Sequence, residues 1–245
     1  LAALQEVLGD AATDEIISAW GLAYGVIAQA FIDMEQGMYD EMLERGGWIG
    51  YKEFVVDKKV KESETITSFY LKPVDGSSLP IHIPGQYVSV LGENLDIEYT
   101  QPRQYSLSMK PNNEYYRISV KKEDGSLVSK HLHEKIKEGD ILKLSAPAGN
   151  FTVKSENSDR PLILMSGGVG ITPLISMLHE EAVKGREIII VQSADNESVQ
   201  AFDTEVKELV SKHNNLKNHV IYKDRIGIIS KDFVSDLPQN GDFYF

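Results

Sequence analysis

The sequence contains no cysteine among its 245 residues. Disulfides and metal or iron–sulfur sites held by thiolates are therefore excluded from this chain. Basic residues are also scarce, because 25 Lys and Arg stand against 37 Asp and Glu, for a formal net charge of −12. This balance opposes non-specific binding to nucleic acid or to an anionic membrane surface. We expect no nucleic-acid partner, and local cations and backbone N–H groups must hold any anionic cofactor.

We find neither an apolar run of transmembrane length nor a signal-peptide pattern. We therefore expect no membrane span and a cytoplasmic protein. A hydrophobic content of 42% with 25% charged residues is ordinary for a folded soluble protein, and the length fits two domains with a fragment of a third. The chain opens at Leu1 and stops in the apolar run Asp242–Phe245, so we expect both ends to be cuts through a longer protein.

The first forty-odd residues have a helical period. Apolar residues recur every three or four positions from Thr13 to about Leu43, which predicts one long amphipathic helix with Thr13 as its N-cap. A shorter apolar stripe from Leu1 to Leu8 predicts a helix before it, ended near Gly9. Two such helices cannot enclose a core without partners.

After Gly47 the apolar period becomes two, which is typical of strands. Short strands separated by Pro-, Gly- and Asn-rich turns predict a small antiparallel barrel with one helix at Ser126–Ile136. The predicted strands are Phe54–Val60, Thr65–Leu71, Tyr87–Leu91, Gln104–Ser108, Tyr116–Val120 and Ile141–Ser145.

Beyond Pro161, strands and helices alternate, which predicts a parallel sheet with helices on both faces. The predicted strands are Leu162–Ser166, Ile188–Gln192 and His219–Tyr222, and the predicted helices are Pro173–Val183 and Phe202–His213.

The stretch Arg103-Gln104-Tyr105-Ser106 combines three chemical capacities. The cation can hold a phosphate, the aromatic can cover a flat ring, and the hydroxyl can hydrogen-bond the edge of that ring. Tyr87 supplies a second aromatic on the preceding strand, while Val128 and Ser129 open a helix whose N–H groups could hold the other end of a flavin dinucleotide. Alone, the stretch is better explained by a half-buried strand aromatic beside a solvated charge.

A glycine-rich loop lies between the first strand and the first helix of the alternating region. Its glycines would let the backbone approach a pyrophosphate. A proline is tolerated in the first helical turn, because the N–H group that it lacks has no hydrogen-bond partner within the helix there. For the loop alone, a turn that merely packs the helix on its strand is an equal alternative. The candidate nucleotide contacts are Gly168, Val169, Gly170, Ile171, Thr172 and Pro173.

The two motifs carry a family resemblance. Residues from about Gly47 onward resemble the ferredoxin–NADP reductase family, with its Arg-x-Tyr-Ser flavin motif and Gly-x-Gly-x-x-Pro nucleotide motif. The first forty-odd residues resemble the last two globin helices, with Trp20-Gly21-x-x-Tyr24-Gly25 in the final helix and Gly46-Gly47-Trp48 as a hinge. The order globin, flavin barrel, nucleotide domain is that of the flavohaemoglobins.

This resemblance implies a multidomain chain. It places an all-α globin fragment at residues 1–46, an antiparallel β-barrel FAD domain at 47–156 and an incomplete α/β parallel-sheet NAD(P) domain at 157–245. The implied activity is nitric oxide dioxygenase: electrons pass from NAD(P)H through FAD to haem b, and nitric oxide and O₂ become nitrate, which detoxifies nitric oxide. The implied partners are these small molecules, and we expect a monomer.

The resemblance also assigns residues. It gives flavin contacts to Tyr87 and Arg103–Ser106, nucleotide contacts to Gly168–Pro173, and the catalytic acid of the haem-pocket relay to Glu35. The family's haem-ligating histidine, relay tyrosine and distal residues belong to earlier globin helices that this sequence does not include. We expect no metal ligand in the chain and interpret its six histidines as surface or capping residues.

Two alternatives stay open. One is a haem-free, FAD-dependent NAD(P)H reductase that delivers electrons to ferredoxin, quinone or ferric acceptors, with the first helices as an unrelated appendage. The other is a non-enzymatic helical sensor or interaction domain fused to a degenerate barrel, which intact flavin and nucleotide motifs argue against. The sequence does not decide between NADH and NADPH.

Overall fold

The computed structural model describes residues 1–92, 101–154 and 159–245. The chain divides into two compact units, Leu1–Arg45 and Gly46–Phe245. The expected boundary between residues 156 and 157 lies outside the described residues.

The first unit consists of α1 (Ala2–Leu8) and α2 (Asp14–Glu44). Thr13 caps α2, because its hydroxyl oxygen accepts a hydrogen bond from the Ile16 N–H at 3.4 Å, and two acidic residues follow in the first turn. Such acids complement the positive end of the helix dipole. The predicted long helix and its cap are therefore confirmed.

Most apolar residues of α2 are exposed. Trp20 and Phe31 expose more than half of their surface, and none of the residues in this helix, all of them described, is buried. By length and composition alone, α2 is also long and apolar enough to cross a membrane. The expected absence of a membrane span is therefore not confirmed.

In the second unit, six antiparallel strands form sheet A in the order β4-β3-β6-β1-β2-β5. An isolated bridge between Leu107 and Ile118 also joins the chain just after β4 to β5. Apolar side chains on one face build a core that includes Phe54, Phe69 and Tyr116. The strands are β1 (Lys52–Lys61), β2 (Ile66–Pro73), β3 (Tyr87–Gly92), β4 (Gln101–Ser106), β5 (Tyr116–Lys121) and β6 (Ile141–Leu144).

The helix α3 (Leu127–Glu134) packs on this sheet and is capped at both ends. The Ser126 hydroxyl accepts from the Ser129 N–H at 3.2 Å. At the other end the Lys59 ammonium donates to the carbonyl oxygens of Leu132, His133 and Ile136 at 3.2, 3.1 and 2.6 Å. A cation there satisfies carbonyls that have no partner within the helix.

Sheet B is parallel, with strand order β10-β7-β8-β9. The two central strands, β7 and β8, are near-continuous apolar runs with mostly buried side chains, as expected for strands covered on both faces. The strands are β7 (Leu162–Gly167), β8 (Ile188–Ala194), β9 (Leu216–Tyr222) and β10 (Asp242–Tyr244), and the helices are α4 (Ile171–Glu181), α5 (Asp203–Lys212) and α6 (Lys231–Ser235).

Most predicted elements are confirmed, with shifted ends. β4 begins at Gln101 rather than Gln104, because Gln101 still pairs with Gly92 of β3. α4 begins at Ile171 rather than Pro173, which places the proline in the first turn, where its missing N–H is not needed.

The two sheets belong to one compact unit. Ile66 of β2 is buried in the core built mainly by β7, β8, α4 and α5. The Glu64 N–H donates to the Ser198 carbonyl oxygen at 2.9 Å. Contacts of this kind fix the position of sheet A relative to sheet B.

Candidate functional site

Antiparallel pairing of β3 with β4 brings the predicted flavin residues together. Tyr87 lies opposite Ser106, Val88 opposite Tyr105, and Ser89 opposite Gln104. Directly opposed residues share a face of an antiparallel sheet. Tyr87 and Ser106 therefore project on one face, and Tyr105 with Arg103 projects on the other.

The backbone around Tyr87 is fixed on both sides. Tyr87 and Ala148 exchange two backbone hydrogen bonds of 2.9 Å each. Gly149, at φ +108°, lies under the tyrosine ring, since a Cβ atom there would be 2.9 Å from two ring carbons. Only a residue without a side chain allows the ring to approach the backbone this closely.

Tyr105 is partly buried and packs against the core of sheet A. Burial raises the pKa of its hydroxyl to about 12, and the nearby positive charge of Arg103 opposes that shift. The hydroxyl therefore keeps its proton at neutral pH and can donate a hydrogen bond. Arg103 and Gln104 are exposed, and the Arg103 guanidinium donates to the Pro102 carbonyl oxygen at 3.0 Å.

The predicted contacts at the start of α3 face inward. The Val128 side chain is buried in the core of sheet A. The Ser129 hydroxyl accepts from the Glu123 N–H at 3.1 Å, and the Ser129 N–H donates to the Ser126 hydroxyl. The side chains of Val128 and Ser129 thus stabilise the helix start.

The glycine loop forms a single 3₁₀ turn, Gly168–Gly170, between β7 and α4. Gly168 has φ +51°, a conformation that favours glycine. Gly167 and Gly170 have ordinary φ values, and a Cβ atom at either position would meet no described atom within 4 Å. Packing within the described chain therefore does not require glycine at these two positions, and the space beside their backbone is open.

The residues after the turn anchor the helix. Ile171 is buried, and the buried Thr172 donates its hydroxyl hydrogen to the Val169 carbonyl oxygen at 3.0 Å. Pro173 is partly exposed in the first turn of α4. A helix N-terminus behind an open glycine turn presents backbone N–H groups and a positive dipole end, which together favour an anion.

β5 links the two motifs in space. The chain just after β4 pairs with β5 through Leu107 and Ile118. The glycine turn Gly168–Gly170 also packs beside β5. The structure therefore brings the Arg103–Ser106 motif and the glycine turn to the same strand.

A buried histidine lies where sheet A meets α4. His82 exposes 2% of its surface, and its Nε2 atom is hydrogen-bonded to the Ser176 hydroxyl at 3.1 Å. Burial lowers the His82 pKa to about 4, so the ring is neutral at neutral pH. The expectation that all six histidines are surface or capping residues is wrong for His82, because the loop before Pro84 folds under α4.

Sequence reasoning also missed a charged cluster between the sheets, which we call the interdomain ion triad: Arg117 of β5, Glu205 of α5 and His179 of α4. Arg117 exposes 5% of its surface and donates to both Glu205 carboxylate oxygens, at 2.9 and 3.0 Å. His179 Nε2 is hydrogen-bonded to Glu205 Oε1 at 2.5 Å. The available signal was an arginine inside the apolar run Tyr116–Val120.

The charges of Arg117 and Glu205 support each other. Burial raises the pKa of the Glu205 carboxyl, but hydrogen bonds from His179 and Arg117 outweigh it and hold that pKa below its ordinary value. For Arg117, burial lowers the pKa of the guanidinium, but the hydrogen bonds to Glu205 and its negative charge outweigh burial, so that pKa is raised above its ordinary value. The pair is therefore ionised at neutral pH.

In the first unit, Glu35 is exposed on α2 and accepts a hydrogen bond from the Tyr39 hydroxyl at 3.3 Å. Residues 1–45 contain no histidine. Across residues 1–92, 101–154 and 159–245, no group of three or more His, Cys, Asp or Glu side chains could hold a metal ion. The described chain thus supplies no haem ligand near Glu35.

Comparison with known proteins matches two domain families. Residues 53–153 match the oxidoreductase FAD-binding domain family, and residues 164–232 match the oxidoreductase NAD-binding domain family. A flavohemoprotein of Bacillus subtilis is 47% identical over 257 residues, covering 99% of this chain and 63% of the relative. The chain spans less than two thirds of the curated flavohemoproteins it matches, between 61% and 66%.

Two solved structures are similar. The flavohem-like FAD/NAD-binding domain of nitric oxide dioxygenase from Vibrio cholerae is 35% identical, with a TM-score of 0.71, over 79% of this chain and 85% of that one. Flavohemoglobin from Malassezia yamatoensis, solved with bound FAD and heme, is 25% identical, with a TM-score of 0.84, over 99% of this chain and 64% of that one.

Proposed function

Because the chain belongs to the flavohemoprotein family, whose FAD- and NAD-binding reductase part it carries, we propose that it transfers electrons from NAD(P)H to FAD within a nitric oxide dioxygenase. The observation that carries this proposal is the open glycine turn beside β5. Gly167 and Gly170 have free space where a side chain would be, and the turn opens helix α4. Backbone N–H groups at such a turn would hold the pyrophosphate of the nucleotide.

The residues of sheet A fit a flavin. The Tyr105 ring is partly buried, and its protonated hydroxyl can donate a hydrogen bond to the cofactor. Ser106, next to it and opposite Tyr87, adds a second hydroxyl for the edge of the ring. The guanidinium of Arg103 would bind the phosphates, with Gln104 beside it, and the backbone at Val128 and Ser129 would meet the pyrophosphate at the start of α3.

In this proposal the protein orients two cofactors. FAD, when bound, accepts two electrons as hydride from the nicotinamide and releases them singly to a one-electron acceptor. Hydride transfer requires the two rings to be held in contact, so the shared position of both motifs beside β5 is what the chain contributes. Tyr87, on the face that it shares with Ser106, would also shield the flavin from water.

We further propose that sheet A is the FAD barrel, within the expected residues 47–156, that residues 157–245 are the NAD(P) domain and that residues 1–46 are the end of a globin. The match to Malassezia yamatoensis flavohemoglobin over 99% of this chain supports the globin assignment. The exposed apolar side of α2 would then be globin core. Glu35 would be the acid of the haem-pocket relay, although residues 1–45 contain no histidine that could ligate the haem iron.

The whole protein would accept nitric oxide and O₂ as substrates and act as a cytoplasmic monomer. The spectrum of the protein expressed from its complete gene tests the haem part. A haem Soret band together with flavin bands supports nitric oxide dioxygenase. Flavin bands alone would favour the haem-free reductase.

Substitutions at Tyr105 and Ser106 test the flavin site. We expect Tyr105→Ala combined with Ser106→Ala to lose FAD on purification, because both the ring and the hydroxyl are removed. Tyr105→Phe is the matched control, since it keeps the ring and should keep FAD. Equal FAD occupancy in the double variant and in the unaltered chain would contradict the assignment.

A further inference from the structure

The interdomain ion triad connects the two sheets through charged, directional contacts. Arg117 lies on β5 of sheet A, whereas Glu205 and His179 lie on the helices α5 and α4, which cover sheet B. The Arg117 side chain is also held between aromatic rings, 5.0 Å from the Phe202 centroid and 5.8 Å from the Tyr70 centroid.

Each arm of the triad ends on an element that also carries one cofactor motif. The Arg117 guanidinium donates to the Ser108 carbonyl oxygen, on the stretch that continues from Tyr105 and Ser106. The backbone of this stretch is also tied to β5, because the Ser108 N–H donates to the Arg117 carbonyl oxygen at 2.9 Å. His179 is on α4, the helix that the glycine turn opens.

The contacts of the triad are suited to fixing the relative position of their partners, and they add little to folding stability. A two-pronged arginine–carboxylate contact fixes both the distance and the orientation of its partners. A buried ion pair adds little net stability compared with apolar side chains of similar size. The hydrogen bond between His82 and Ser176, one turn earlier on α4, gives a second point of attachment and limits rotation of this helix.

We infer that Arg117, Glu205 and His179 are positioning residues that set the distance between the nicotinamide and flavin rings during hydride transfer. The inference rests on the proposed function. None of the three is assigned a contact with a cofactor. Their effect passes through Ser108 on one side and through α4 on the other.

The test is anaerobic stopped-flow reduction of the FAD-loaded chain by NADH. A displacement of about 1 Å at the reacting atoms costs up to about 100-fold in rate. We expect Glu205→Gln and His179→Gln to lower the limiting rate of flavin reduction at least about tenfold, with unchanged FAD occupancy and a nucleotide Kd within about twofold. The long-wavelength charge-transfer absorption of the stacked rings should weaken in parallel.

Glu187→Gln is the matched control, because it breaks an exposed ion pair with Lys217, 2.7 Å long, on the same unit. NADH should reduce the FAD of this variant at the same limiting rate as in the unaltered chain. Unchanged limiting rates in both triad variants, or losses explained by lost FAD alone, would overturn the inference. If the unaltered chain binds FAD but NADH does not reduce it, the proposed function fails instead.

Discussion

Gly170→Ala separates the ligand-binding role of the glycine turn from its structural role. Gly170 has φ −59° and ψ −12°, a conformation that alanine adopts without strain. A Cβ atom there would meet no described atom within 4 Å. Substitution should therefore raise the free energy of unfolding by about 0.4–1 kcal/mol, because alanine restricts the unfolded chain.

The same methyl group would occupy the space through which a pyrophosphate reaches the backbone N–H groups. Overpacking of a close contact costs about 1–3 kcal/mol, and each 1.4 kcal/mol is about tenfold in affinity. The nucleotide Kd should therefore rise between about 5-fold and about 150-fold. FAD occupancy should not change.

Two measurements check this prediction. Urea unfolding gives the stability, and the NADH dependence of anaerobic flavin reduction gives the Kd. Gly37→Ala, inside α2 and equally free of neighbours, is a control that should stabilise the chain without changing the Kd. An unaltered Kd for Gly170→Ala, or a loss of stability above about 1 kcal/mol, would refute the reasoning.

Three further predictions concern stability, each measured by urea unfolding. Lys59→Met should cost about 1–2 kcal/mol, since it removes three hydrogen bonds to the end of α3; a neutral result would contradict the capping role. Asp242→Asn should cost about 3 kcal/mol, because Asp242 is the partner of the buried Arg186, and a loss below about 1 kcal/mol would count against that pair. The pKa of His82 is lowered to about 4 in the folded chain. The neutral ring therefore stabilises the fold fully above the unfolded pKa of about 6.5, and the free energy of unfolding falls by up to about 1.4 kcal/mol per pH unit as the pH drops from there toward 4. His82→Phe should remove that part of the slope, and an identical slope in both proteins would exclude it.

Local patterns predicted much of this fold. The apolar period from Thr13 onward, with an N-cap and two first-turn acids, specifies α2 without any tertiary contact. Turn signals and alternating apolar residues located the strands of sheet A, and β3–β4 pairing placed Tyr87 opposite Ser106. Motifs carried on consecutive strands or on a strand–helix turn depend on short-range geometry, which sequence records.

The interdomain contacts could not be predicted in this way. Arg117, His179 and Glu205 are far apart in sequence, and only Arg117, inside the apolar run Tyr116–Val120, carries a local signal of burial. His82 is buried only because α4 covers its loop. Val128 and Ser129 face inward because α3 packs on sheet A, an orientation that the motif spacing does not encode.

The central claim, electron transfer from NAD(P)H to FAD by this chain, is tested most directly by its visible spectrum. The chain is loaded with FAD, and NADH is added in the absence of oxygen. We expect the flavin absorption bands to bleach, with Gly170→Ala requiring more NADH for the same rate. Failure to retain FAD, or flavin bands that stay oxidised at saturating NADH and NADPH, would contradict the account.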